Sequence, residues 1–310
     1  PRGVDFSILW NVWKSIEEKY RDGGTLDRQK MAQGAADGVV KSLGDPYTVF
    51  MPFKDAQRFS EDISGSFGGI GAELGYKKGI VIIAPLKDMP AEKSGIQAGD
   101  RILEINGSST VDMTLEDAVS NIRGQKGVPV KLLIEREGSA KLIEFNIVRD
   151  TIKISTIEWS KKTSDTAYLK IYNFFGSVAE DFVAAEKEMS AAGVKKIILD
   201  LRNNPGGLLG ASIDIAGEFI PKGKLIVSQD FGAGKEKDDF YSPGGSLENI
   251  PVVVLVNQGS ASASEILAGA LKDSREAILI GEKTFGKGSV QEVLQLSGGA
   301  TLKVTVASWI

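Results

Sequence analysis

Val252-Val253-Val254-Leu255-Val256-Asn257-Gln258-Gly259-Ser260-Ala261-Ser262-Ala263-Ser264-Glu265 is the stretch on which the reading of the fold turns. Five consecutive apolar residues without alternation predict a strand buried on both faces, the kind found in sheets covered by helices. The small-residue turn behind it opens a helix over about residues 262–273. The same order recurs on both sides. Upstream, Ala167–Phe174 reads as a strand, and Val178, Phe182, Ala185 and Met189 mark one helix face. Lys196–Leu201 is a buried strand, and a glycine turn leads into a helix at about 208–220. Downstream, Ala277–Ile280 is a strand, and Gln291–Leu296 with Thr301–Ala307 forms a hairpin around Ser297-Gly298-Gly299. Such alternation predicts α/β layering for residues 153–310.

Ahead of it, residues 63–152 read as a small β-rich module. Ile80–Ala84 and Arg101–Ile105 are strands, and Val130–Ile134 and Ile143–Ile147 form a hairpin about Glu137-Gly138. Thr114 and Asp117 make a capping box before Leu115, Ala118, Val119 and Ile122, and that helix stops at Gly124. Residues 1–62 read as helical. Leu9, Val12, Trp13, Ile16 and Tyr20 share one face, and a stripe from Ala32 to Leu43 halts at Gly44-Asp45-Pro46. Such helices either dock on the rest of the chain or pair with a second copy.

The 310 residues include no histidine and no cysteine. A Ser-His-Asp triad, a thiol nucleophile, the usual zinc ligands and disulfide staples are all excluded. A hydrolase built from this chain needs lysine, carboxylate or water as its base. The net charge of −4, with no basic block, argues against a nucleic-acid partner. No apolar run approaches the ~20 residues of a membrane span. The opening at Pro1 leads us to expect residues upstream, and the stop at Ile310, directly behind a strand, a continuation downstream.

Three segments offer chemistry. Ser262 stands at a helix N-terminus, where free N–H groups favour negative charge; taken alone, Ser262 with Glu265 is equally a capping box. Lys287 lies between Gly286 and Gly288, and burial would lower its pKa towards that of a usable base; taken alone, it is equally a solvated loop lysine. Gln291, four residues on, shares a strand face with it. Arg202-Asn203-Asn204-Pro205-Gly206-Gly207 joins a strand to a helix and lets backbone N–H groups approach a ligand; a tight turn with a helix cap is the plainer reading. Asp273 has no local signal of its own.

Together, Leu199–Gly207, Gly259–Leu267 and Gly281–Gly288, with Leu43-Gly44-Asp45-Pro46-Tyr47-Thr48 near the start, resemble the C-terminal processing peptidases, or tail-specific proteases, in order and spacing. The resemblance covers nearly the whole chain. It implies a crotonase-like α/β protease core with an inserted PDZ domain. Ser262 would be the nucleophile, Lys287 the general base and Gln291 its orienting partner. The N–H groups of Ala263 and of Gly206 or Gly207 would form the oxyanion hole. Asn203 stands where aspartate is common in the family, and the segment after Val306 lacks the expected continuation, which bears on the oligomer interface.

Under the same resemblance, Gly69, Ile70, Gly71 and Ala72 form the carboxylate-binding loop of the PDZ domain, opposite Leu115, Val119 and Ile122. Arg123 is a candidate contact between that domain and the protease core, or an exposed helix-end charge. The implied activity is an endopeptidase for proteins with apolar C-terminal tails, dimeric through its N-terminal region. It would need no metal or cofactor and would be exported to the bacterial envelope or the thylakoid lumen; any adaptor protein is unknown. The rivals are a tail-binding PDZ protein with an inert protease body and a crotonase-like acyl-CoA enzyme.

Overall fold

The computed structural model describes residues 3–153, 155–232 and 234–310. The chain divides into two compact units, residues 1–56 with 290–307 and residues 57–289 with 308–310.

In the first unit, α1 (Ser7–Lys19) and α2 (Arg28–Lys41) carry no fully buried residue. The stripe read from sequence is therefore only half covered, and Ile8 and Trp10 are 72% and 63% exposed. Strand β1 (Val49–Met51) pairs antiparallel with β18 (Thr301–Trp309), Phe50 facing Leu302. Strand β17 (Ser289–Gln295) joins β18 on its other side, as the predicted hairpin. The Asp45-Pro46-Tyr47-Thr48 signature works here as a clasp. Asp45 accepts the Thr48 hydroxyl at 2.6 Å and the Tyr47 N–H at 2.9 Å, while Thr48 Oγ1 accepts the Thr305 N–H at 3.1 Å. These bonds, led by one from the Thr305 side chain, hold the Asp45 carboxyl down at about 2. A third helix, α3 (Phe53–Ile63), lies in the stretch read as helical without having been outlined there, and it spans the boundary between the units.

The second unit begins with the β-rich module. Its main sheet runs β3 (Ala72–Tyr76), β4 (Ile80–Pro85), β5 (Arg101–Ile105), β7 (Pro129–Glu135) and β8 (Ile143–Val148), with β6 (Ser108–Ser109) on β5. A separate ribbon pairs β2 (Ser66–Gly69) with β9 (Asp150–Lys153). One-turn α4 (Pro90–Lys93) and α5 (Leu115–Ile122) close the module over Ile80, Ile82, Ile102, Leu132 and Ile134. The box at Thr114 forms in both directions, each bond 3.1 Å. The other end of α5 is capped by buried Arg149, which donates to the carbonyls of Ile122, Asn121, Pro129 and Val128. Cations near a helix C-terminus satisfy its last carbonyls.

The α/β part follows. Its sheet has the order β10 (Ile157–Lys161), β11 (Thr166–Ile171), β12 (Lys196–Asp200), β15 (Val252–Val256) and β16 (Ile278–Gly281). All neighbours are parallel except β10 with β11. Helices α6 (Val178–Ala191), α7 (Leu209–Phe219) and α8 (Ala263–Arg275) supply Phe182, Phe219 and Leu267 to its core. Strand β13 (Leu225–Asp230) pairs with β14 (Asp238–Tyr241) and with Ser308 and Trp309. At the module's root backbone meets backbone: Gly176 N–H donates to the Ile63 carbonyl at 2.7 Å, and a Cβ on Gly65 would lie 3.0 Å from the Gly176 Cα.

Candidate active site

The central strands β12 and β15 both end at one turn cluster. At the end of β15 the three serines separate by role. Ser260 is buried, donating to the Leu201 carbonyl at 2.7 Å and accepting the Asn257 N–H at 3.0 Å. Ser264 is buried and donates to the Asn204 carbonyl at 3.0 Å. Both hydroxyls stitch the turn to the end of β12. Ser262 is half-buried at the first turn of α8. Its backbone sits at φ 54°, ψ −115°. A conformation that unusual costs a non-glycine residue about 1–3 kcal/mol and persists only where neighbours over-determine it. Of the capping box, the carboxylate half carries the geometry: Glu265 Oε2 accepts the Ser262 N–H at 2.8 Å, while the Glu265 N–H meets the Ser262 carbonyl, also at 2.8 Å.

The glycine turn beyond β12 presses against this serine. A Cβ on Gly206 would lie 2.5 Å from the Ala261 carbonyl oxygen, 2.8 Å from Ser262 Cβ and 2.9 Å from Ala263 N. Buried Asn204 shapes the turn: its Nδ2 donates to the Ile171 carbonyl and its Oδ1 accepts the Gly206 N–H, both at 2.9 Å. Gly206 is thus committed as a donor. Among the described residues, the N–H groups of Gly207 and Ala263 have no acceptor. Asn203 has φ 59° and exchanges hydrogen bonds with Asn257, Asn203 N to Oδ1 and Asn257 Nδ2 to Asn203 Oδ1. Below the turn, buried Asp200 accepts both arms of Arg202 and the Tyr168 hydroxyl. Burial pushes the Asp200 carboxyl up, but these bonds outweigh it and hold it below the ordinary range.

Lys287 is half-buried on the loop behind β16. That loop is fastened to the serine turn at several points. Phe285 N–H donates to the Ser260 carbonyl at 3.0 Å, and the N–H groups of Gly286 and Lys287 reach the Glu265 carboxylate at 2.7 and 2.9 Å. The sequence reading assigned Glu265 only a cap; its two further donors come from 21 and 22 residues downstream. Gln291 belongs to the first unit, where its amide donates to Thr305 Oγ1 at 3.2 Å. Asp273 lies on an exposed face of α8.

In the β-rich module, α5 lies against β3. Among the described residues, the N–H groups of Ile70 and Gly71, between β2 and β3, have no acceptor. The side chains of Ile70 and Ile122 are buried in the module's core, and Ala72, Leu115 and Val119 are half-buried. Arg123 finds partners beside the module's entry. It donates to Asp62 on α3 at 3.1 Å and lies over the Phe67 ring on β2 at 3.9 Å, because α5 ends beside the segment that leads into the module.

A PDZ-bearing serine peptidase scaffold is the class these parts define, and comparison with known proteins agrees. The description "Peptidase family S41" matches residues 165–310 and "PDZ domain" matches 58–135. The carboxy-terminal processing protease CtpA of Bacillus subtilis is 42% identical over 306 residues, covering 98% of this chain and 65% of that protein. CtpB of the same organism is 38% identical over 289 residues, covering 92% of this chain and 60% of that protein. Among solved structures, the photosystem II D1 C-terminal processing protease superposes with a TM-score of 0.55 at 29% identity, covering 98% of this chain and 83% of that one. The chain belongs to the C-terminal processing peptidase family. It spans about three fifths of the length of the curated relatives it matches. Among the described residues, no helix is long and apolar enough to cross a membrane.

Proposed function

We propose that this chain is a serine endopeptidase that captures the C-terminal tail of a protein in its PDZ domain and cuts the chain upstream. The observation that carries the reading is the meeting of three segments. A strained serine at the tip of α8, a glycine turn pressed against it and a lysine loop fastened to the same turn come together in a chain without imidazole or thiol.

In this reading, the Ser262 hydroxyl loses its proton to the neutral Lys287 amine as Oγ bonds to the scissile carbonyl carbon. The carbonyl π pair moves onto oxygen, where the Ala263 and Gly207 N–H groups receive the negative charge. The C–N bond then breaks, and the proton passes from Lys287 to the leaving amine. Water adds to the acyl ester by the reverse proton route and regenerates Ser262. Gln291 orients the lysine. The unbonded N–H groups of Ile70 and Gly71 support capture of a terminal carboxylate, with the tail added along β3. The exposed apolar residues Ile8, Trp10 and Val12 of α1 support pairing with a second copy. Domain limits of 1–62, 63–152 and 153–310, and export to an extracytoplasmic compartment, belong to the same proposal.

The test is Ser262→Ala against a peptide with an apolar C-terminus. Cleavage is lost and tail binding remains; turnover surviving in that variant refutes the assignment. Lys287→Arg is equally inactive, since a guanidinium does not deprotonate near neutral pH.

A further inference from the structure

Glu265 is 8% exposed, one of the few charged residues of this chain to be so buried. Burying a carboxylate costs several kcal/mol unless its lone pairs are filled. Among the described residues they are filled by main-chain donors: Ser262 N and Lys287 N on one oxygen, Gly286 N on the other. A helix cap needs only the first of these, and a neutral glutamine caps as well. What the carboxylate adds is a second loop. Two acceptor oxygens with no donor can hold three converging N–H groups, whereas an amide would turn its own NH2 towards one of them. The main chains of Ser262 and Lys287 therefore hang from the same atom.

We propose that Glu265 is the positioning residue of the Ser262/Lys287 pair: its carboxylate sets the register between the nucleophile turn and the lysine loop. The proposal rests on the dyad reading above. Displacing reacting groups by about 1 Å costs on the order of 100-fold in rate, and losing one of two loop anchors permits such a shift without unfolding the sheet beneath.

The test is Glu265→Gln in the 310-residue chain, with an internally quenched peptide carrying an apolar C-terminus as substrate. The expected result is a kcat lower by about 100-fold, with KM, tail affinity and melting temperature close to wild type. Labelling of Ser262 by a fluorophosphonate probe slows in parallel. Cleavage within about threefold of wild type overturns the role, as does a loss of tail affinity and melting temperature that accounts for the lower rate. Ser262→Ala is run alongside: activity surviving there overturns the dyad itself, whereas a dead Ser262→Ala beside a fully active Glu265→Gln overturns only Glu265. Should Glu265→Gln not fold, amide exchange in the wild-type chain decides. Protected Gly286 and Lys287 amides support the clamp, and exchange at open-loop rates sinks it.

Discussion

Adding one methyl group to Gly206 probes how tightly the glycine turn is set against Ser262. The residue has φ 94°, where an L side chain is strained by about 1–3 kcal/mol. The new Cβ would also meet the Ala261 carbonyl oxygen at 2.5 Å, Ser262 Cβ at 2.8 Å and Ala263 N at 2.9 Å. Two of these atoms are main chain and the third is a Cβ, so nothing can swing aside as a long side chain would. Overpacking of this kind costs about 1–3 kcal/mol more. Gly206→Ala should therefore lose roughly 2–6 kcal/mol, a large part of the 5–15 typical of a domain. The change is read by urea unfolding followed by circular dichroism. Labelling of Ser262 by a fluorophosphonate should fall with it, because the turn can relax only by moving away from the serine. Gly210→Ala is the control: in α7, with open space around it, it should be neutral or more stable by about 0.5–1 kcal/mol. A Gly206→Ala protein within 0.5 kcal/mol of wild type, labelled at the normal rate, would refute the packing argument.

Arg149→Met removes a cation that caps α5 through the Asn121 and Ile122 carbonyls and ties it to those of Val128 and Pro129, and should cost about 2–4 kcal/mol. Amide exchange would then quicken in α5, with weaker tail binding; unchanged protection there contradicts the cap. Asp45 has its folded pKa depressed from 3.8 to about 2, so its stabilising share is present above the unfolded pKa and lost as pH falls from about 4 through about 2. Asp45→Asn should flatten the acid limb of the stability profile in that window, followed by acid titration of the tryptophan fluorescence; an unaltered limb contradicts the clasp.

The central elements were legible because their periodicity is strong. Val252–Val256 and Lys196–Asp200 lie inside the sheet, so their apolar runs are unbroken, and α5 and α6 announce themselves by capping and spacing. Strands β10, β13 and β14 were not anticipated: Ile157–Lys161 lies at the sheet's edge, and Asp238–Tyr241 mixes charged with aromatic residues. Helix α3 falls inside the stretch read as helical, although its apolar face of Phe53, Ala56, Phe59 and Ile63 was not singled out. At the site, local reading could not choose among Ser260, Ser262 and Ser264; the distinction lies in hydrogen bonds to Leu201 and Asn204, some 60 residues away. Asn204 gave no signal beyond its place before a proline, and the second task of Glu265 depends on a loop that only folding brings near. Arg123 was read as either a contact with the core or an exposed helix-end charge; its partners, Asp62 and Phe67, are set by where that helix stops.

The joint between Gly65 and Gly176 has a mechanical consequence. A Cβ on Gly176 would lie 2.6 Å from the Ser64 carbonyl oxygen, so two bare backbones meet with no side chain to act as a cushion. Phe174, two residues before that joint, donates its N–H to the Gly206 carbonyl and accepts from Leu208. A load applied at the root of the β-rich module would thus meet, two residues on, a backbone hydrogen-bonded to the turn beside Ser262.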